Sequence, residues 1–158
     1  MQAQSRTDFD LVEYVPLIEE VIASGGEFRL FPRGTSMLPL IRQGKDSVIL
    51  VLPKDLSKGD IVFYRRPDGQ FVLHRIIKKS KDGSYVLCGD NQTVLEKGII
   101  SNMIIAVVSA VFRDEKRIEK NAFGRMVYEF FWCIMPLRKL IFFSRRVLSR
   151  LKRIFSKK

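Results

Sequence analysis

The chain has 158 residues, of which 46% are hydrophobic and 28% are charged, so it is long and apolar enough for one domain with a core, and a disordered chain is excluded. The net charge is +11, and ten of the 28 Lys and Arg residues fall in residues 122–158 against a single acid. With one histidine and two distant cysteines, the composition argues against a disulfide framework and a zinc site, and we expect neither a metal nor a cofactor.

The N-terminal residues do not resemble a targeting segment. Residues 1–9 are polar, which argues against a secretory signal peptide. No apolar run approaches the roughly 18–20 residues that a membrane-spanning helix needs. We therefore expect the protein to stay in the cytoplasm.

The first predicted element is a short N-terminal helix over about residues 10–23, within a segment that we place at residues 1–26. Its apolar residues recur at helical spacing, with glutamates on the other side. The apolar residues are Leu11, Val15, Ile18 and Ile22. Pro16 is unfavourable inside a helix, and the glycines at 25 and 26 end the pattern.

Residues 27–120 are predicted to form a β domain. Apolar or alternating runs of strand length occupy residues 28–31, 47–52, 60–64, 71–77, 85–88 and 103–112. Pro67-Asp68-Gly69 and Lys81-Asp82-Gly83 are signals for hairpin turns. Because strands do not alternate with helices, we predict a mainly β, antiparallel fold.

Residues 121–158 predict a basic, amphipathic helical tail, in which Phe, Trp, Ile and Leu alternate with Arg and Lys. Three interpretations remain open: a helix packed on the β domain, a helix on an anionic membrane surface, or a nucleic-acid-binding segment. We favour the membrane surface because so many large apolar side chains suit a bilayer better than nucleic acid. The protein would then lie peripherally on the inner face of the membrane.

Ser36 and His74 are the candidate catalytic residues. Ser36 lies in a turn between Gly34 and Pro39, a setting that can present its hydroxyl outward. His74, the one histidine, follows in an apolar strand pattern, and neutral imidazole is the common base for activating a hydroxyl. The alternative is an ordinary turn serine and a half-buried strand histidine.

Two further residues near the end of a predicted strand could take part in chemistry. Asp90, in Gly89-Asp90-Asn91, could orient a histidine through its carboxylate, although the same residues also suit a plain β-turn. Cys88 follows apolar residues, so we expect a buried, inert thiol rather than a nucleophile.

Four short motifs in this order resemble the signal peptidase I family, in its endoplasmic-reticulum-type branch with a histidine base. They are residues 34–39 (Gly-Thr-Ser-Met-Leu-Pro), 59–62 (Gly-Asp-Ile-Val), 74–76 (His-Arg-Ile) and 89–91 (Gly-Asp-Asn). The resemblance covers about residues 24–112, and self-cleaving LexA-type domains are similar in fold. It implies an antiparallel, partly coiled β-structure.

By position, the resemblance makes Ser36 the nucleophile, His74 the general base and Asp90 a third catalytic member, with Met37, Leu38, Pro39 and Leu73 as substrate-binding residues. It implies a serine endopeptidase that cleaves an extended precursor or leader peptide, bound as an added strand. Two alternatives are a non-catalytic peptide-binding module on the same fold and a basic-tailed nucleic-acid-binding protein.

Overall fold

The computed structural model describes residues 11–114 and 116–119, together with Ser144. One helix and eight strands follow in chain order: α1 (Leu11–Ala23), β1 (Phe28–Leu30), β2 (Ser47–Val51), β3 (Ile61–Arg65), β4 (Phe71–Lys79), β5 (Tyr85–Cys88), β6 (Glu96–Ile99), β7 (Ile104–Arg113) and β8 (Lys116–Glu119). The predicted helix and mainly β fold are confirmed, while β6 and β8 were not predicted as strands.

The C-terminal part of the sequence prediction lies outside this description. The helical tail over residues 121–158 falls beyond the described residues except for Ser144, so it stays a prediction, as do the domain boundaries. No helix within the described part of the chain is both long enough and apolar enough to cross a membrane.

The strands form one antiparallel sheet in the order β1-β2-β7-β3-β4-β5-β6, and β8 pairs with β7 outside that order. The ten-residue β7 therefore pairs with β2, β3 and β8. Register shifts interrupt the β2–β7, β3–β7, β4–β5 and β5–β6 pairings. Such irregularities bend a sheet and increase its twist.

Both faces of the sheet are buried, which explains the nearly continuous apolar runs in the sequence. Along β3, Ile61 and Phe63 belong to one core cluster and Val62 and Tyr64 to a second. Since successive side chains of a strand point to opposite faces, the two clusters lie on opposite faces. We call them the first and the second cluster.

Helix α1 covers the first cluster. Val15, Ile18 and Ile22 are buried against the sheet in that cluster, which confirms the predicted helical spacing for these three residues. Leu11, predicted on the same face, is exposed in the first turn of the helix. The helix continues through Pro16, which is exposed. Packing of the apolar face thus outweighs the low helix propensity of that residue.

Candidate active site

Ser36 lies in the turn segment between β1 and β2 and is half-buried. Gly34, two residues earlier, has φ of +90°, a conformation that favours glycine. The Gly34 N–H donates to the side-chain oxygen of Gln43 at 2.8 Å. The main-chain oxygen of Ser36 accepts a hydrogen bond from the Asn91 N–H at 2.7 Å. The candidate nucleophile is therefore tied directly to the Gly-Asp-Asn motif.

A buried carboxylate holds the far end of this turn. Asp46 is fully buried and accepts hydrogen bonds from the Arg42 N–H at 2.9 Å and from the Arg42 guanidinium. Arg113, from β7, donates to Asp46 and to the carbonyls of Pro39 and Leu40. Although burial acts against it, these hydrogen bonds from Arg42 and Arg113 keep the pKa of Asp46 below its usual value. The turn is thus fixed to β7 by charge-assisted bonds.

His74 lies in β4, opposite Val62 of β3, on the face that carries the second cluster. Its side chain is 1% exposed. The pKa of His74 is lowered to about 4, mainly by burial; the Arg66 cation acts in the same direction, and the Glu96 and Asp90 carboxylates act in the opposite direction. His74 is therefore neutral at physiological pH, which is the state that a general base requires.

His74 and the Ser36 turn meet at Gly89. A methyl group added to Gly89 would stand 2.8 Å from the Ser36 main-chain oxygen and 3.0 Å from His74 Nε2. It would also stand 2.9 Å from the side-chain oxygen of Gln92. The structure thus brings together Ser36, His74 and the Gly-Asp-Asn motif, and it does so at a place where only glycine fits.

Asp90 is fully buried and pairs with an arginine. Its two carboxylate oxygens accept hydrogen bonds from Arg75 Nε at 2.8 Å and Arg75 Nη2 at 2.7 Å. Arg75 Nη1 donates to the Gly59 carbonyl at 2.7 Å. Arg75 therefore connects three of the four motifs, and the Asn91 bond to Ser36 adds the fourth. The catalytic role predicted for Asp90 stays a prediction.

A different carboxylate lies at His74 Nδ1. Glu96 Oε1 is 3.1 Å from Nδ1, and the Tyr64 hydroxyl is 3.2 Å from it. Glu96 opens β6 opposite Leu87, which in turn pairs with Ile76 of β4, so its side chain reaches the face of His74. Sequence reasoning missed Glu96 because β6 is short and mostly polar, and no residue pattern joins it to the histidine.

The four predicted substrate-binding residues lie in different environments. Met37 and Leu73 are buried in the first cluster, with 4% and 8% exposed. Leu38 is half-buried and Pro39 is exposed, and the peptide bond between them is cis. The substrate-binding role of all four stays a prediction.

Cys88 is buried, and its thiol contacts the carbonyl oxygens of Gly89, Gln92 and Val94. It therefore lines the inner side of the Gly-Asp-Asn turn. Within residues 11–114 and 116–119, no group of three or more His, Cys, Asp or Glu side chains could hold a metal ion.

Comparison with known proteins gives one match, to a family model. No curated protein and no solved structure matches the chain. The model of the family described as Peptidase S24-like matches residues 2–109, a range that contains all four motifs and the described strands through most of β7. This match does not distinguish the endoplasmic-reticulum-type branch, which stays a prediction. The chain belongs to the Peptidase S24-like family.

Proposed function

We propose that the protein is a serine endopeptidase of signal-peptidase type, with Ser36 as nucleophile and His74 as general base. The observation that carries the proposal is the meeting of His74 Nε2 and the Ser36 turn at Gly89, both about 3 Å from one point. A base must lie within reach of the proton that it removes. The family supports the reaction class, and this geometry supports the choice of residues.

The reaction would follow the usual course of serine acyl transfer. The Ser36 hydroxyl attacks the carbonyl carbon of the scissile bond and gives its proton to His74 Nε2, which then protonates the leaving amine. Water, activated by the same imidazole, hydrolyses the acyl-enzyme. Glu96 lies against Nδ1, where a carboxylate orients the ring and stabilises the charge that forms on it.

The proposed substrate is an extended precursor or leader peptide. β1 pairs with β2 and stands at one end of the sheet order, and the Ser36 turn follows it in the chain. A peptide could therefore add as a strand at this edge, with main-chain hydrogen bonds supplying affinity. Membrane attachment through residues 122–158 is a separate proposal, supported by their charge and apolar content. It would place the site at the inner face of a membrane.

The test is mass spectrometry of the full chain after reaction with a serine-directed phosphonate. We expect one adduct on Ser36, absent in Ser36→Ala and reduced by about 10²- to 10⁴-fold in rate in His74→Gln. Ser57→Ala removes an exposed turn serine and serves as the matched control, with full labelling expected. Circular dichroism establishes that each variant is folded.

The outcome also separates the alternatives. An adduct at another serine, or labelling that does not depend on His74, would overturn the proposed pair. A folded protein that never reacts, with or without anionic lipid vesicles, would favour the non-catalytic peptide-binding module. Glu96→Gln and Asp90→Asn measured side by side decide which carboxylate supports His74, since only the supporting one should slow labelling in a folded protein.

A further inference from the structure

The side chain of Glu96 is held beside His74 by two further residues. Tyr64 donates its hydroxyl hydrogen to Glu96 Oε2 at 2.6 Å. Arg66 donates through Nε to the same oxygen at 2.9 Å and through Nη2 to Oε1. Arg66 also donates to the Gln70 side chain at 2.8 Å, which fixes it within the β3–β4 hairpin. Glu96 is thus a clamped carboxylate.

The hydrogen-bond partners of His74 Nδ1 determine which ring nitrogen carries the hydrogen. A tyrosine has one hydrogen to donate, and Tyr64 gives it to Glu96. Burial and the Glu96 carboxylate both raise the pKa of Tyr64 above its usual value, so the hydroxyl stays protonated. Both neighbours of His74 Nδ1, the Tyr64 oxygen and Glu96 Oε1, can therefore only accept. Nδ1 must carry the hydrogen, and Nε2, the nitrogen beside Gly89, keeps its lone pair.

The positive charge of Arg66 has a second effect, on the protonation of His74. The charged and titratable groups that act on His74 are Glu96 from β6, Arg66 from the hairpin, Tyr64 from β3 and Asp90, which Arg75 pairs. An isolated carboxylate beside an imidazole favours the protonated ring. Arg66 offsets that charge at Glu96, so the carboxylate can orient the ring without holding it as an imidazolium.

We propose that Tyr64 and Arg66 are positioning residues for the peptidase reaction: together with Glu96 they hold His74 as the neutral Nδ1–H tautomer. The inference deepens the proposed function and rests on it for its catalytic meaning. The arrangement of protons and charges is a property of the folded protein and can be tested without any substrate.

His74 is the one histidine in the chain, so nitrogen NMR of histidine-labelled protein reports a single imidazole. In the native protein we expect a neutral Nδ1–H ring. In Arg66→Gln the titration of His74 should move upward by about one pH unit, because a nearby cation is lost. Arg66→Lys keeps the charge and should restore most of the native value. In Tyr64→Phe one of the two acceptors at Nδ1 is lost while Glu96 remains, so we expect the Nδ1–H tautomer to persist beside a minor Nε2–H population that the native protein lacks.

Arg65→Gln is the matched control: Arg65 is the exposed neighbour at the end of β3, and its guanidinium lies over the Phe71 ring. It should leave the His74 signals unchanged. An Nε2–H ring in the native protein, or the same titration in Arg66→Gln and Arg65→Gln, would overturn the inference. Arg66 is 27% exposed, so we expect Arg66→Gln to fold. Its His74 titration therefore tests the inference even if Tyr64→Phe does not fold. Failure of phosphonate labelling with these NMR results intact would refute the proposed function alone.

Discussion

Lowering the pH from about 7 to about 5 should destabilise this protein through His74. In the unfolded chain the pKa of a histidine is about 6.5, whereas burial lowers the pKa of folded His74 to about 4. Between these two values the unfolded chain binds a proton that the folded protein does not. Acid therefore favours unfolding, and this contribution to stability falls below about pH 6.5 and levels off below about pH 4.

The size of the effect follows from the two pKa values. Over about pH 7 to 5 the linkage relation gives a loss of about 2 kcal/mol in unfolding free energy from this one group. The side chain is 1% exposed, so solvent screening does not reduce the figure much. Carboxyl groups have usual pKa values of about 4 and titrate mainly below about pH 5. Those with lowered pKa values, Asp46 and Glu96 among them, do so at still lower pH, so the histidine dominates between about pH 7 and 5.

The assay is urea denaturation followed by circular dichroism at several pH values, on the native protein and on His74→Gln. Glutamine is polar but does not titrate, so the variant should be less sensitive to pH by about 2 kcal/mol over the window. Equal slopes for the two proteins would refute the reasoning, because His74 would then not be a desolvated neutral imidazole.

Three further predictions concern the site and its support. Gly89→Ala should lower phosphonate labelling by about 10²-fold in a folded protein, because the new methyl pushes Ser36 away from His74; unchanged labelling would contradict the close approach. Asp90→Asn should lower unfolding free energy by about 3–5 kcal/mol, since it leaves Arg75 buried with an uncompensated charge; a loss below about 1 kcal/mol in urea denaturation would argue against that buried pair. Leu50→Ala should lower it by about 2–5 kcal/mol, because Leu50 is fully buried in the first cluster; a midpoint in urea close to that of the native protein would contradict that packing.

The elements that the sequence predicted well are those that bury continuous apolar surface. Apolar runs or spacings are evident in the sequence of the helix and of four strands, which contain residues 47–51, 61–65, 71–79 and 104–113. The strand β6 escaped prediction because its residues are Glu-Lys-Gly-Ile, of which only Ile99 is buried. A strand that is held mainly by hydrogen bonds to its neighbours shows only a weak strand pattern in its own sequence.

The motifs of the candidate site could be predicted from the sequence, but the contacts between its side chains were harder to predict. Ser36, His74 and Gly89 follow from residue types and their order, and the structure brings them together. Which carboxylate faces the imidazole depends on sheet register, since a shift of one residue would turn Glu96 to the other face. Asp90 lies in a motif and was therefore the predicted partner of the histidine, yet its carboxylate oxygens accept hydrogen bonds from Arg75.

The three-way pairing of β7 has a consequence for when activity can arise. Ser36 lies between β1 and β2, on one flank of β7, and His74 lies on β4, on the other. During synthesis both residues leave the ribosome well before residues 104–113, but until then the strand that separates the two flanks in the sheet is missing. A nascent chain therefore carries the proposed nucleophile and the proposed base without a sheet to align them. Under the proposed function, we therefore expect no peptidase activity before β7 is complete.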